Sequence, residues 1–253
     1  MANNANRFTE TVENYVKYRP SYPSEIYLFL VQHCGLTQEK VIADVGSGTG
    51  FLSQLFLEQG HTVYGVEPNQ AMRVAGENYL ARYPDFHSIN GFAEATTLEG
   101  ASVDWVVVGT AFHWFDARKA KMEFKRILRS PGFVLLIWNV RDKEKSAFLR
   151  DYEMLISTYS KDYKHSPAQS FDETATAEFF KPYPMETAAY RNQQQFDWEG
   201  LKGRLLSTSY SLRETDSEYS QMLHHLRKIF EQHQRNGLVE FLYSCRLYYG
   251  RIK

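Results

Sequence analysis

Short apolar runs alternate with longer amphipathic stretches through the first half of the chain. Segments 41–45 (VIADV), 62–67 (TVYGVE), 103–109 (VDWVVVG) and 133–139 (FVLLIWN) are β-branched or aromatic with little polar alternation. Runs of that kind read as strands buried on both faces. Between them, 51–60, 70–83 and 117–130 have helical spacing, and Gly60 and Pro131–Gly132 supply stop signals. This alternation predicts an α/β fold, a doubly wound and mostly parallel sheet with helices on both faces. The second half is less regular: 145–163 and 217–233 read as helices, 185–191 and 238–252 as strands. Residues 141–181 have no place in a minimal doubly wound sheet and are expected to form a helical lid over its ligand-binding edge. No repeat, low-complexity tract or Gly/Ser linker divides the chain. The expected organisation is therefore one domain, 1–253, with an N-terminal helical cover (1–35), a cofactor-binding core (40–140) and the lid.

The first strand runs into Gly46, Ser47, Gly48, Thr49 and Gly50. In an open parallel sheet, ligands bind beyond the carboxyl ends of the strands, and glycine there lets a ligand reach the backbone without meeting a Cβ. A glycine-rich turn also serves simple helix packing, so the turn alone decides nothing. Glu67 ends the next strand about twenty residues further on, where a carboxylate can accept both ribose hydroxyls of an adenosine. Asp44 lies two positions before the first glycine. Dinucleotide binders want G-x-G-x-x-G/A facing a pyrophosphate, whereas Phe51 stands here at the third small position. Asp44 would repel a pyrophosphate and suit an ammonium. The spacing therefore favours a nucleoside carrying an amino acid over a nicotinamide dinucleotide.

Charge and cysteines narrow the class. Lys plus Arg (29) nearly balance Asp plus Glu (30), which removes the bulk attraction of a dedicated nucleic-acid binder. Two distant cysteines, Cys34 and Cys245, suit neither a disulfide framework nor a metal site and point to a reducing cytoplasm. The N-terminal segment has no apolar core fit for a signal peptide, and no run is long enough to span a bilayer. No metal, nucleic acid or membrane partner is expected. The plentiful aromatics, seventeen Tyr, seventeen Phe and four Trp, can line a pocket for an organic ligand.

ADVGSGTG (43–50), VYGVEPNQAM (63–72), GFAEATTL (91–98), VDWVVVGTAFHWFD (103–116) and EFKRILRSPGFVLLIW (123–138) together resemble the motifs of class I S-adenosylmethionine-dependent methyltransferases. NYVKYRPSYPSEI (14–26) and the closing stretches from LLSTSYS (205–211) resemble a branch of small-molecule enzymes akin to trans-aconitate methyltransferase. The resemblance covers nearly the whole chain. It implies a seven-stranded, Rossmann-like methyltransferase fold, S-adenosyl-L-methionine as cofactor, and a small-molecule acceptor such as a carboxylic acid. It also implies roles: Gly46, Ser47 and Gly48 cradle the methionine part, Asp44 supports the loop and the amino group, and Glu67 holds the ribose. Met72 lies against the adenine with Ala93 and Glu94 closing its other side, and Thr110 borders the methionine end. Tyr15 and Arg19 close over the cofactor, Arg19 on its carboxylate. Ser47 departs from the cysteine or alanine common in this motif.

Methyl transfer chiefly requires alignment of the acceptor with the sulfonium. Phe112 and Trp114 are positioned to offer aromatic faces or to be core. His113 is the one candidate base beside the methyl site, and a wall residue otherwise. Trp138, Asn139 and Arg141 after the fifth strand, with Tyr210 from the second half, are expected to face the acceptor. Each has a plainer reading as core, or as a solvated Arg141. His224–His225 read as surface. Three other readings remain open: a cofactor-binding scaffold or regulator without transferase activity, a methyltransferase of RNA or protein, and a nicotinamide-dependent oxidoreductase. Oligomeric state is not legible.

Overall fold

A computed structural model describes residues 12–160 and 173–253. Seven strands form one sheet: β1 (Ile42–Val45), β2 (Val63–Val66), β3 (Phe86–Ile89), β4 (Val103–Gly109), β5 (Leu128–Arg141), β6 (Glu186–Phe196) and β7 (Val239–Arg251). Their order is β3-β2-β1-β4-β5-β7-β6. The first five are parallel, whereas β7 runs antiparallel to both β5 and β6. The expected mostly parallel seven-stranded sheet is therefore present. The order reverses at β1, whose carboxyl end lies between those of β2 and β4.

The helices are α1 (Val12–Tyr18), α2 (Glu25–Cys34), α3 (Phe51–Leu57), α4 (Gln70–Tyr79), α5 (Ala117–Ile127), α6 (Ala147–Tyr159), α7 (Glu173–Phe180), α8 (Trp198–Leu206) and α9 (Tyr219–His233). Because side chains alternate across a strand, β4 sends Val106 and Val108 to one face and Trp105 and Val107 to the other. Phe124 and Ile127 of α5 and Phe180 of α7 cover the first face. Ile26 and Leu30 of α2 and Phe56 of α3 cover the second. Phe56 and Phe124 are fully buried, each worth roughly 1.5–3 kcal/mol of apolar burial.

The regions 1–35 and 141–181 are placed as follows. Residues 1–11 and 161–172 lie outside the described residues. The α1 helix buries none of its residues, but it lies against α8 and α4. The α6 helix buries Phe148, Leu149, Tyr152, Leu155, Ile156 and Tyr159. They meet α8, α9 and the ends of β6 and β7 in a third apolar cluster.

Two boundaries and one exposure depart from the sequence reading as follows. The α5 helix stops at Ile127 and the chain enters β5 at Leu128, before the Pro131–Gly132 stop, because Val103 of β4 already pairs with Leu128. The α4 helix ends at Tyr79 rather than near residue 83. His225 is half-buried against the Tyr159 ring, so only His224 is a plain surface residue.

Candidate functional site

The glycine turn is held in shape by β2. Both Gly46 and Ser47 N–H groups donate to the Val66 carbonyl, at 2.8 and 3.2 Å. Gly46 (φ +72°) and Gly48 (φ +57°) occupy left-handed conformations. A Cβ on Gly46 would lie 2.7 Å from the Ala111 Cβ, so no other residue fits without moving the segment after β4. Phe51 follows at the first position of α3 and stacks on Tyr15 of α1, with ring centroids 6.5 Å apart.

Two carboxylates flank the turn. Glu67 Oε2 accepts from the Gly48 N–H at 3.0 Å and Oε1 from the Asn69 N–H at 2.8 Å. Asn69 in turn caps α4 by accepting from the Met72 N–H at 2.9 Å. The Glu67 carboxylate is thus fixed by backbone groups and keeps lone pairs for a ligand. Burial nevertheless raises its pKa, against the Asn69 and Gly48 hydrogen bonds and the Arg73 charge. Asp44 is 1% exposed. Its Oδ2 accepts from the Ser53 hydroxyl at 2.7 Å, while Oδ1 has no partner among the described residues. Burial pushes this carboxyl up to about 7, the Ser53 hydrogen bonds opposing. A buried acceptor left open is costly, and an ammonium would satisfy it.

Three adjoining compartments run along the carboxyl edge, and Tyr15 and Thr110 line all of them. The first, a cleft of about 910 Å³ open to solvent, has Glu67, Met72, Ala93 and Glu94 in its wall. Phe92, Trp114 and Phe115 add apolar surface there. Glu94 is oriented by the Asp116 N–H at 2.7 Å. The second, about 570 Å³, holds Asp44, Gly46, Ser47, Gly48 and Arg19. Arg19 lies over the Tyr15 ring at 4.8 Å and donates to the Ser207 carbonyl at 3.1 Å. Its buried Nε has no partner among the described residues. Thr110 sits where the compartments meet, in a left-handed conformation (φ +54°) that a β-branched residue rarely adopts.

The third compartment, about 1410 Å³, brings together His113, Trp138, Asn139, Arg141 and Tyr210. Phe112 is buried in the core against Phe179 and Phe124, whereas Trp114 lines the first and third compartments. Arg141 pairs with Glu153 at 3.0 Å and is largely buried, contrary to the solvated alternative. His113 has no partner for Nδ1 among the described residues, and burial lowers its pKa to about 4. The ring is therefore neutral at physiological pH and a weak base. Burial would push the Tyr210 phenol up, yet the Arg141, Arg19 and Arg204 guanidiniums outweigh it and its pKa falls below the usual 10.

Arg204 escaped the sequence reading. It is 2% exposed and lines both the second and third compartments. No local pattern marks it among the 29 basic residues; its burial arises as α8 packs against β6 and Arg204 meets Phe241 and Tyr243 of β7. Asn69, Phe92, Phe115 and Tyr22 were also missed, and Asn69 had a legible signal as a helix cap before an apolar spacing.

Comparison with known proteins bears on the fold and on the kind of domain. Residues 43–136 match the family model described as a methyltransferase domain. An uncharacterized methyltransferase of Mycobacterium tuberculosis is 34% identical over 149 residues, 59% of this chain and 58% of that one. The chain thus spans less than two thirds of that relative. An uncharacterized methyltransferase of Schizosaccharomyces pombe is 25% identical over 221 residues, 86% of this chain and 84% of its own. Among solved structures, a putative type II methyltransferase from Anaeromyxobacter dehalogenans superimposes with a TM-score of 0.65 at 21% identity. It covers 93% of this chain and 98% of its own, so the two share a fold.

Proposed function

We propose that the chain is a class I S-adenosylmethionine-dependent methyltransferase acting on a small acidic molecule, in the branch akin to trans-aconitate methyltransferase. The observation that carries this reading is the pairing of opposite charges in the second compartment. Asp44 offers an open buried acceptor and Arg19 an open buried donor beside a glycine turn. That pair suits the ammonium and carboxylate of an amino acid. A nicotinamide dinucleotide would put phosphates against Asp44. When bound, the cofactor would supply an electrophilic methyl on a sulfonium, open to in-line attack by an acceptor lone pair with the sulfur leaving as a neutral thioether.

The chain's own residues then bind, orient and screen. Glu67 is set for the ribose hydroxyls, Met72, Ala93 and Glu94 for the adenine, and Gly46, Ser47 and Gly48 for the methionine part. Tyr15 covers the junction, and Thr110 borders the methyl. Such positioning contributes on the order of 7–11 kcal/mol. Trp138, Arg141, Tyr210 and His113 form the acceptor wall. A carboxylate acceptor has no proton to lose, and the weakly basic His113 is consistent with a wall residue. We read the described part of 141–181 as a cover of this pocket, supported by Arg141, Lys143 and Glu153 in its lining. The cationic and aromatic third compartment favours an enzyme over a scaffold, and the near-balanced charge favours a small acceptor over nucleic acid in the cytoplasm.

The test is formation of S-adenosylhomocysteine from S-adenosylmethionine with a panel of small carboxylic acids. Turnover with at least one acid and none with the matching amides is expected; activity on RNA or protein alone would contradict it. Glu67→Ala should weaken cofactor binding by roughly 1.5–3 kcal/mol, from loss of a charged acceptor.

A further inference from the structure

Arg204 carries a charge that no carboxylate among the described residues neutralises. Its Nε donates to the Tyr243 hydroxyl at 3.3 Å and its Nη1 to the Ser207 hydroxyl at 3.4 Å, both long and to neutral groups. Its guanidinium lies 5.6 Å from the centre of the Phe241 ring. No carboxylate pairs with it among the described residues. Tyr243 is itself held through its hydroxyl, which donates to Gln194 at 3.1 Å, so the guanidinium rests on a fixed floor. The charge of Arg19 adds to the excess: burial first, then the Arg204 charge, lowers the Arg19 pKa.

Around the third compartment the imbalance persists. Arg19, Arg141, Arg204, Lys143 and Arg246 line it, and Glu153, which pairs with Arg141, is the one carboxylate among its described lining residues. The proposed cofactor cannot repair this, because its sulfonium and ammonium outweigh its carboxylate. A buried cation with no carboxylate beside it among the described residues is expensive and favours an acceptor that brings an anion. Trp114, Trp138 and Tyr248 also line it, with Trp138 and Tyr248 edge to face at 5.8 Å.

We propose that Arg204 is the specificity-determining residue of the acceptor pocket, the seat for the anionic group of a planar, apolar-bodied acid whose body lies along Trp114, Trp138 and Tyr248. This rests on the function proposed above and goes beyond it: the acceptor is an amphipathic acid of the aryl or conjugated kind. Arg19 remains for the cofactor.

The experiment titrates protein saturated with S-adenosylhomocysteine, so that the methionine end is filled, with benzoate and with its neutral isostere benzamide. Tryptophan fluorescence reads the binding through Trp114 and Trp138. Benzoate should bind at least tenfold tighter than benzamide. Arg204→Met should abolish that preference, Arg204→Lys should retain part of it, and S-adenosylhomocysteine affinity should stay within threefold in both. Removal of an uncompensated buried charge should also raise the melting temperature of ligand-free Arg204→Met, a readout that a merely structural arginine would move the other way. Equal binding of the two probes by wild type, or an unchanged preference in Arg204→Met, would overturn the assignment. So would a tenfold loss of S-adenosylhomocysteine affinity, which would give Arg204 to the cofactor. Were Arg204→Met to fail to fold, that would mark the residue as structural and count against the assignment, and the wild-type comparison would still decide the probe preference. Failure of wild type to bind S-adenosylhomocysteine would instead overturn the function reading beneath it.

Discussion

Asp44 shows how one side chain links the turn to solvent pH. Its carboxyl is held at about 7 by burial, against an ordinary value of 3.8. Below pH 3.8 folded and unfolded chains both hold the proton. Between the two values only the folded chain keeps it, so this contribution to stability declines as pH rises and is gone once pH passes 7. The cofactor-free protein should therefore lose about 1.4 kcal/mol per pH unit relative to Asp44→Asn between pH 5 and 6.5. Urea unfolding of both proteins at the two pH values measures it. Parallel pH dependences would show that Asp44 is ionised in the cofactor-free fold. His113, whose depressed pKa acts in the opposite sense below 6.5, is present in both proteins and cancels.

Helix α1 is latched rather than buried. Gln194 donates to the Tyr18 carbonyl at 3.3 Å, Asn192 to the Ser21 carbonyl at 2.8 Å, and Asn139 to the same carbonyl at 3.2 Å. On α8, a Cβ at Gly203 would fall 2.0 Å from the Tyr18 ring. Gly→Ala in a helix interior ordinarily stabilises by about 1 kcal/mol. Gly203→Ala should do the reverse, lifting α1 and with it Tyr15 and Arg19, and weaken cofactor binding about tenfold by calorimetry. Unchanged affinity would mean that α1 is no part of the cofactor site. The elements were unevenly legible before the structure. Continuous apolar runs marked β1, β2, β4 and most of β5. Strand β3 is a four-residue edge with half-buried positions, and its pattern FHSI gives no such run. Strand β6 continues through Asn192, Gln193, Gln194 and Gln195, whose alternation shows only in burial because every residue is polar. Helices α7 and α8 lacked clear stops, and their apolar positions acquire a face only against α5 and β6.

Across the whole molecule, the nucleoside and methionine ends of the cleft could be read from sequence because their residues lie within or beside five local motifs. The acceptor end could be read only in part, since Trp138, Arg141, Arg204 and Tyr210 converge from β5, α8 and the loop after α8. The pocket is assembled by the antiparallel β7–β6 addition and the helices docked on it, and long-range convergence leaves no spacing to recognise. Among the described residues no helix is long and apolar enough to cross a membrane, and no cluster of ligating side chains is arranged for a metal ion. The carboxyl edge of the sheet offers three adjoining compartments, with Asp44 and Arg19 in the second. Calorimetric titration of the protein with S-adenosylmethionine and, separately, with NAD tests that assignment most directly. Saturable one-to-one binding of S-adenosylmethionine with no heat from NAD is the predicted result; binding of NAD, with none of S-adenosylmethionine, would contradict it.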